Sequence, residues 1–358
     1  MEWHPNKQLP TEFHQIAQQI YTGDPLWLPE SESQLINTFS NPQSYTNNKV
    51  WLSLIDKKSR LAGFYIKEKK MAFFGYWETM DTLAPNQILF KEMETWAKKQ
   101  GAKVIYGPIN FSTFNAYRIR LNYFEHGAFH GEPYNPPYYE KLLTALGYQL
   151  NSHYYSHFMV ANEIMPGLKL MSRRISSQFS FVPLTADLWM QNLTQFYTAI
   201  DTIFADNFAY SAISYEIFSK NYGLALAQRL CPKTSVLALD KNQNIAGFSL
   251  IFPDYAPLCQ QGLSKPLNFA DINYSQYYSK LPKPRVGLGK TMAVLPAYRN
   301  KGLSGGLYTL LSIEVAKNIA LYYEEAGFCL IREGNSSQAL AKRYQRRTHL
   351  YGLYQKDL

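Results

Sequence analysis

The chain has 358 residues, 46% of them apolar, and a formal net charge of +9. That length suits two domains of about 180 residues, each able to bury its own core. No stretch of about 18 residues is apolar throughout, and the opening MEWHPNKQLPTEFHQ is polar and acidic, which argues against a membrane span and a cleaved leader. Cys231, Cys259 and Cys329 are widely spaced and odd in number, so they make no disulfide framework and point to a reducing, cytoplasmic setting.

In chain order, the first half reads as a helical start, then strands at 50–56, 60–67 and 71–79. A helix follows over Asn86–Gln100, with Leu89, Met93, Trp96 and Ala97 at helical spacing and Gly101 as its stop. Strand 102–107, an irregular stretch, helix 138–146 and strand 153–161 close this half. The second half repeats the order: helices near 187–205 and 214–230, strands 235–240 and 244–252, a long loop over 253–284 and strand 286–294. A helix from about 303 to 323 carries Leu303, Leu307, Leu310, Leu311, Val315 and Ile319 on one face. Strand 327–332, a short helix from Asn335 to Tyr344 and a last strand over 348–354 complete it.

One phrase is written twice. LIDKKSRLAGFYI (54–66) and ALDKNQNIAGFSL (238–250) each end an apolar run at an Asp, turn, and resume with Ala-Gly-Phe. The repetition predicts a duplicated domain: 1–162, a linker at 163–182 around Pro166-Gly167, and 183–358. Strands alternating with helices around an antiparallel hairpin predict the α/β class, a mixed sheet flanked by helices in each half.

The halves diverge after their third strand. The first continues ETMDTLAPNQILF, without glycine and with two acidic residues; the second continues VLPAYRNKGLSGGLYTLL. There a strand turns into a helix through Arg299, Lys301, Gly302, Gly305 and Gly306. Unpartnered amides at a helix start carry partial positive charge, and glycines let an anion approach the backbone. The second half is therefore expected to hold a diphosphate and the first is not. With the net positive charge, this suggests phosphates of a cofactor or an acidic carrier protein as partners; no long basic run marks a nucleic-acid binder.

Three decoys fail on context. Gly289-Lys290-Thr291 resembles the end of a P-loop, but Pro284 stands where that loop needs glycine and a strand follows instead of a helix. Gly302-Leu303-Ser304-Gly305-Gly306 fits a hydrolase elbow, yet only His349 follows, close to the C-terminus. His153 and His157 share a strand face without the carboxylates or thiols that would complete a metal set, so no metal is expected.

Val294-x-Pro296-x-x-Arg299-x-x-Gly302-x-Ser304 resembles the acyl-CoA-binding signature of the GNAT superfamily of N-acetyltransferases, departing in having Ser304 where Gly or Ala is usual. The resemblance covers about 180–358. The first half resembles a second, degenerate GNAT domain, including GPIN at 107–110 and EPYNPPYYEKLLTALGY at 132–148. What the resemblance implies is an N-acyltransferase: an amine attacks the thioester of acetyl-CoA directly, with a longer acyl-CoA passed to a peptide amine, or an acidic acyl carrier protein as donor, close behind. Met292, Ala293 and Val294 would bond the pantetheine arm. Arg299, Asn300, Lys301, Gly302, Leu303, Ser304 and Gly305 would cradle the diphosphate, and Asn335 would meet the arm. Tyr344 would protonate the leaving thiolate, and Glu333 or Asp254 would serve as base. The long aromatic loops 107–139 and 253–284 suggest acceptor contacts at Asn110, Ser112, Asn115, Glu132 and Tyr134. An aminoacyl-tRNA-dependent transferase of tandem-GNAT type and a non-catalytic acyl-CoA sensor are the alternatives.

Overall fold

The computed structural model describes residues 1–164, 178–299, 306–335 and 338–358. Its strands are β1 (Glu2–Trp3), β2 (Asn48–Ile55), β3 (Ser59–Ile66), β4 (Met71–Thr79), β5 (Val104–Gly107), β6 (Ile119–Arg120), β7 (Gln149–Val160), β8 (Ser180–Pro183), β9 (Val236–Leu239), β10 (Ile245–Pro253), β11 (Val286–Val294), β12 (Glu325–Arg332) and β13 (Arg347–Asp357). The fold is mixed α/β, and the chain forms two compact units. The first comprises Met1–Tyr154, Gln260–Pro266 and His349–Leu358; the second comprises Tyr155–Cys259 and Leu267–Thr348.

The units are therefore not contiguous halves. The sequence reading puts the last strand in the second half, but β13 lies antiparallel against β5, with Tyr354 opposite Gly107 and Asp357 opposite Val104. Its Tyr351 and Leu353 are fully buried, which gives this strand its place in the first core.

In the first unit β1 to β5 lie side by side in chain order, followed by β13 and the beginning of β7. The helix over Leu83–Gln100 starts three residues before the expected Asn86, because Pro85 sits in the first turn, where a missing N–H costs nothing. It ends at Gly101, whose φ of 96° permits a left-handed cap: Ala102 N–H reaches the Ala97 carbonyl at 3.1 Å. The helix buries Leu89, Phe90, Met93, Trp96 and Ala97 against the sheet. A Cβ at Gly63 would stand 2.9 Å from the Met93 Cγ and 3.1 Å from the Trp96 ring.

The second unit repeats this plan with β8 to β12 and the end of β7, in the order β7-β12-β11-β10-β9-β8. The helix over Gly306–Tyr322 covers one face, burying Leu307, Leu311, Val315 and Ile319; Leu310 is half-buried and Leu303 lies outside the described residues. β10 is irregular between Ile245 and Gly247, which turns Ala246 as well as Gly247 toward this helix; from Gly247 on, alternation sends Phe248 and Leu250 toward the opposite layer, where Trp189, Phe196 and Phe218 pack. The helices expected at 187–205 and 214–230 each break in two, at Asn192 and Gly223.

The repeated phrase now has a cause. A Cβ at Gly247 would lie 2.7 Å from the Ala293 carbonyl oxygen and 3.1 Å from Leu311. Both glycines let the long helix of their unit settle closely onto the hairpin. The turns themselves differ. Asp56 and Lys57 both adopt positive φ, 52° and 54°, in a turn closed by the Lys58 N–H on the Ile55 carbonyl at 3.0 Å. Asp240 instead accepts the N–H groups of Asn242 and Asn244 at 2.8 and 2.9 Å.

Candidate functional site

The central strands of the second unit part company. β11 and β12 are parallel and pair over only four positions, from Val286 with Glu325 to Gly289 with Phe328. At that point β11 bulges: Ile251 of β10 faces Gly289 and Leu250 faces Thr291, so Lys290 is the extra residue. β11 then stays with β10 to Val294, while β12 runs on to Arg332 outside the ladder with β11. The result is a wedge, closed at Gly289 and Phe328 and opening toward Val294.

Register decides what faces the wedge. Leu295 donates to the Ala246 carbonyl at 3.0 Å, and Gly247 lies opposite Val294. In an antiparallel pair this makes Gly247–Val294 a non-bonded pair, and Ser249–Met292 is the next one of that kind. Met292 and Val294 therefore direct their N–H and C=O groups away from β10, toward the wedge, where the Val294 carbonyl meets the Arg299 side chain. These are peptide donors and acceptors at strand spacing, fitted to an extended amide-bearing ligand.

The first unit fills the corresponding place. Aligned on the repeated Ala-Gly-Phe, Phe74 (opposite Gly63) corresponds to Val294, and Ala72 to Met292. Ala72 and Phe73 pair with Ile105 and Tyr106 of β5, the Phe74 carbonyl accepts the Ile109 N–H at 2.7 Å, and Asn110 Oδ1 accepts the Tyr76 N–H at 2.7 Å. This plug needs two glycines: a Cβ at Gly75 would stand 2.3 Å from the Ile109 carbonyl oxygen, and one at Gly107 would stand 2.6 Å from the Phe74 oxygen. In the second unit Leu295 occupies the place of Gly75.

The expected cofactor residues fall as follows. Asn300, Lys301, Gly302, Leu303, Ser304 and Gly305 lie outside the described residues. Met292, Ala293 and Val294 form the wall of the wedge, Ala293 being committed to the β10 ladder. Arg299 is exposed and turned back: its Nε donates to the Val294 carbonyl and its Nη2 to the Ile203 carbonyl, both at 3.2 Å. Tyr298 donates to Asp240 Oδ2 at 2.8 Å, tying the segment after β11 to the hairpin turn. Asn335 is exposed at the open end; its N–H reaches the Arg332 carbonyl at 3.2 Å and its carbonyl accepts the Gln338 N–H at 3.0 Å.

The three catalytic candidates are dispersed. Tyr344 ends the Gln338–Tyr344 helix, half-buried, with the Arg343 guanidinium 5.6 Å from its ring centre. Glu333 follows β12 at the open end; the Tyr155 hydroxyl is raised by burial and by the Glu333 charge. Asp254 stands beyond the closed end, its N–H on the Val286 carbonyl at 2.8 Å and its carboxylate accepting the Ala256 N–H at 3.1 Å.

The five acceptor candidates all belong to the first unit and are engaged within it. Asn110 is the plug; its carbonyl accepts from Asn115 Nδ2 at 2.9 Å and from the Ser112 N–H at 2.8 Å. Ser112 Oγ accepts the Phe114 N–H at 3.3 Å. Glu132 is buried, accepts the Phe129 N–H at 3.0 Å and bonds His349 Nδ1 at 2.6 Å and the Tyr351 hydroxyl. The Tyr134 hydroxyl donates to Asp24 Oδ2 at 2.6 Å.

Sequence reasoning missed His157 as more than a metal decoy. It lies on β7, which adjoins β12, and is only 3% exposed. Its Nδ1 pairs with the Thr348 hydroxyl at 2.9 Å, Nε2 is buried without a hydrogen-bond partner, and burial holds the ring's pKa down. A lone histidine within an alternating strand carries no signal by which the sequence could have marked it. Among the described residues no group of three or more His, Cys, Asp or Glu could hold a metal, and no helix is long and apolar enough to cross a membrane.

No family model matches the sequence, and no curated protein matches it in sequence. The fold does have relatives. A tandem GNAT protein from the clavulanic acid biosynthesis pathway superposes with a TM-score of 0.53 over 100% of this chain and 97% of its own, at 10% identity. A probable N-acyltransferase from Enterococcus faecalis gives 0.55 over 100% of this chain and 72% of its own, at 8% identity. A GCN5-related glucosamine N-acetyltransferase region of a fungal multi-domain β-N-acetylglucosaminidase gives 0.53 over 99% of this chain and 38% of its own, at 10% identity. The chain thus has the GNAT fold, and it has it in the tandem arrangement.

Proposed function

We propose that the second unit takes an acyl-CoA thioester into the wedge between β11 and β12 and passes its acyl group to an amine. The observation that carries this reading is the contrast between the units: the Met292 peptide groups and the Val294 N–H face the wedge, the Val294 carbonyl being held by Arg299, while Ala72 is paired with Ile105 and the Phe74 carbonyl is taken by the Ile109 N–H. An extended chain bearing amides, such as a pantetheine arm, would satisfy those groups as a neighbouring strand does. In the sequence, the turn from Arg299 to Gly305 that opens the next helix supplies charge and glycine amides for a diphosphate. Arg299 would serve there by keeping the Val294 carbonyl in place while presenting positive charge.

In this reading Tyr344 hands a proton to the leaving thiolate, and Glu333, at the open end, is the better placed of the two carboxylates to receive the amine's proton. Asp254 is held beyond the closed end by Val286 and Ala256. Acetyl-CoA is the proposed donor, with longer acyl-CoA the second choice. Incubating the full chain with mixed acyl-CoAs and cell extract, with mass spectrometry of acylated amines, tests the reaction. Turnover of an acyl-CoA supports it; transfer that requires aminoacyl-tRNA refutes it. Arg299→Glu combined with Gly302→Asp puts negative charge where phosphate is expected and should abolish CoA binding with the fold intact.

A further inference from the structure

The wedge needs β12 to leave β11, and two residues past the last pair β12 is irregular. Leu330 adopts a φ of 61°, in the left-handed region that a branched apolar side chain rarely enters. Its N–H donates to Ser156 Oγ on β7 at 3.0 Å. Ser156 is fully buried, and on the other flank Cys329 Sγ approaches the Gly327 carbonyl at 3.5 Å. A left-handed residue breaks the extended course of a strand, and a buried hydroxyl that takes its amide makes the break durable.

We propose that Ser156 is a positioning residue that holds the wedge open through Leu330. Ser156 touches no ligand in this scheme. It accepts the Leu330 amide, Leu330 stays left-handed, and β12 is kept from zipping along β11 past Phe328. This rests on the reading of the wedge as the thioester site, and it adds the element that keeps the site from closing as the first unit's has closed.

Two measurements on the full chain test it. The first is calorimetric titration with coenzyme A of the parent, Ser156→Ala, and Ser156→Ala combined with Leu330→Gly. Loss of the acceptor should weaken coenzyme A binding about tenfold, since the orphaned amide and the disfavoured φ both press β12 back to regular strand. Glycine accepts a positive φ freely but leaves the amide without its acceptor, so the double variant should recover part of the loss and bind more tightly than Ser156→Ala alone. A Ser156→Ala protein that melts earlier but binds as the parent does, or a double variant as weak as the single, overturns the proposal. The second measurement is hydrogen exchange without ligand. Ser156→Ala should slow exchange at the Met292 and Val294 amides as β12 re-pairs with β11. Unchanged exchange there overturns the proposal even if the parent binds coenzyme A. If the parent fails to bind coenzyme A while exchange slows as expected, the reading of the ligand fails and the role of Ser156 stands.

Discussion

The Ile109 amide donates to the Phe74 carbonyl at 2.7 Å, whereas the equivalent Val294 carbonyl accepts the Arg299 side chain and the Met292 and Val294 amides stay turned into the wedge. The two strands are otherwise alike, each pairing with a hairpin that carries Ala-Gly-Phe. A coenzyme that binds as a strand mimic should therefore choose between them. Saturating coenzyme A should protect the Met292 and Val294 amides from exchange and leave Ala72, Phe73 and Phe74 unchanged. Protection on the first unit would refute the assignment of the site.

Proline can separate ligand bonds from ladder bonds. The Met292 N–H faces the wedge, so Met292→Pro removes one donor to the ligand and spares the bonds to β10. Coenzyme A affinity is expected to fall about tenfold with little change in melting temperature. At Ala293 the N–H belongs to the ladder with Phe248, and Ala293→Pro should destabilise the unit by about 3 kcal/mol or more. Equal effects at the two positions would contradict the register.

Ending the chain at Thr348 should unfold the first unit and not the second. The missing residues include buried Tyr351, Leu353 and Tyr354, and with His349 and Tyr351 go the side chains that bond the Glu132 Oε1 atom. A buried carboxylate stripped of partners, together with three lost aromatic or aliphatic anchors, exceeds about 5 kcal/mol, comparable to the whole stability of a domain. Limited proteolysis with mass spectrometry should find cuts confined to 1–154 and 260–266.

A buried ion cluster should make the first unit less stable as pH rises. Arg60, fully buried, bonds Glu30 at 2.6 Å and lies 3.9 Å from Glu78, whose carboxylate accepts from Tyr139 at 2.7 Å and Tyr21 at 3.1 Å. Burial outweighs Arg60 and pushes Glu78 from 4.5 up to about 7. The folded state then holds a proton that the unfolded state has lost. The group's contribution is fully present below about pH 4.5 and lost as pH rises through 7, a swing of about 2–3 kcal/mol. Glu78→Gln should flatten that part of the profile, raising the melting temperature at pH 8 relative to the parent and not at pH 4.5. A parallel profile in the variant would show that Glu78 does not titrate in that window.

Local periodicity and turn chemistry settled much of this molecule before any tertiary contact. The helix ending at Gly101, the stripe Leu307, Leu311, Val315 and Ile319, and the repeated hairpin all rest on interactions within a few residues, and such interactions are written in consecutive letters. So was the presence of two related folds, because the Ala-Gly-Phe glycine answers to the same helix-on-sheet packing in each unit. Tertiary structure alone assigned β13 to the first unit, since a strand's sequence specifies its faces and not its neighbour. It alone showed that Ile109 and Asn110 close one wedge while Ser156 and Leu330 accompany the other's opening. Gly75 and Gly107 were visible as letters, but what each admits lies more than thirty residues away, Ile109 beside Gly75 and Phe74 beside Gly107. A close approach between distant segments leaves no period behind it, only a missing side chain whose reason is elsewhere in the fold.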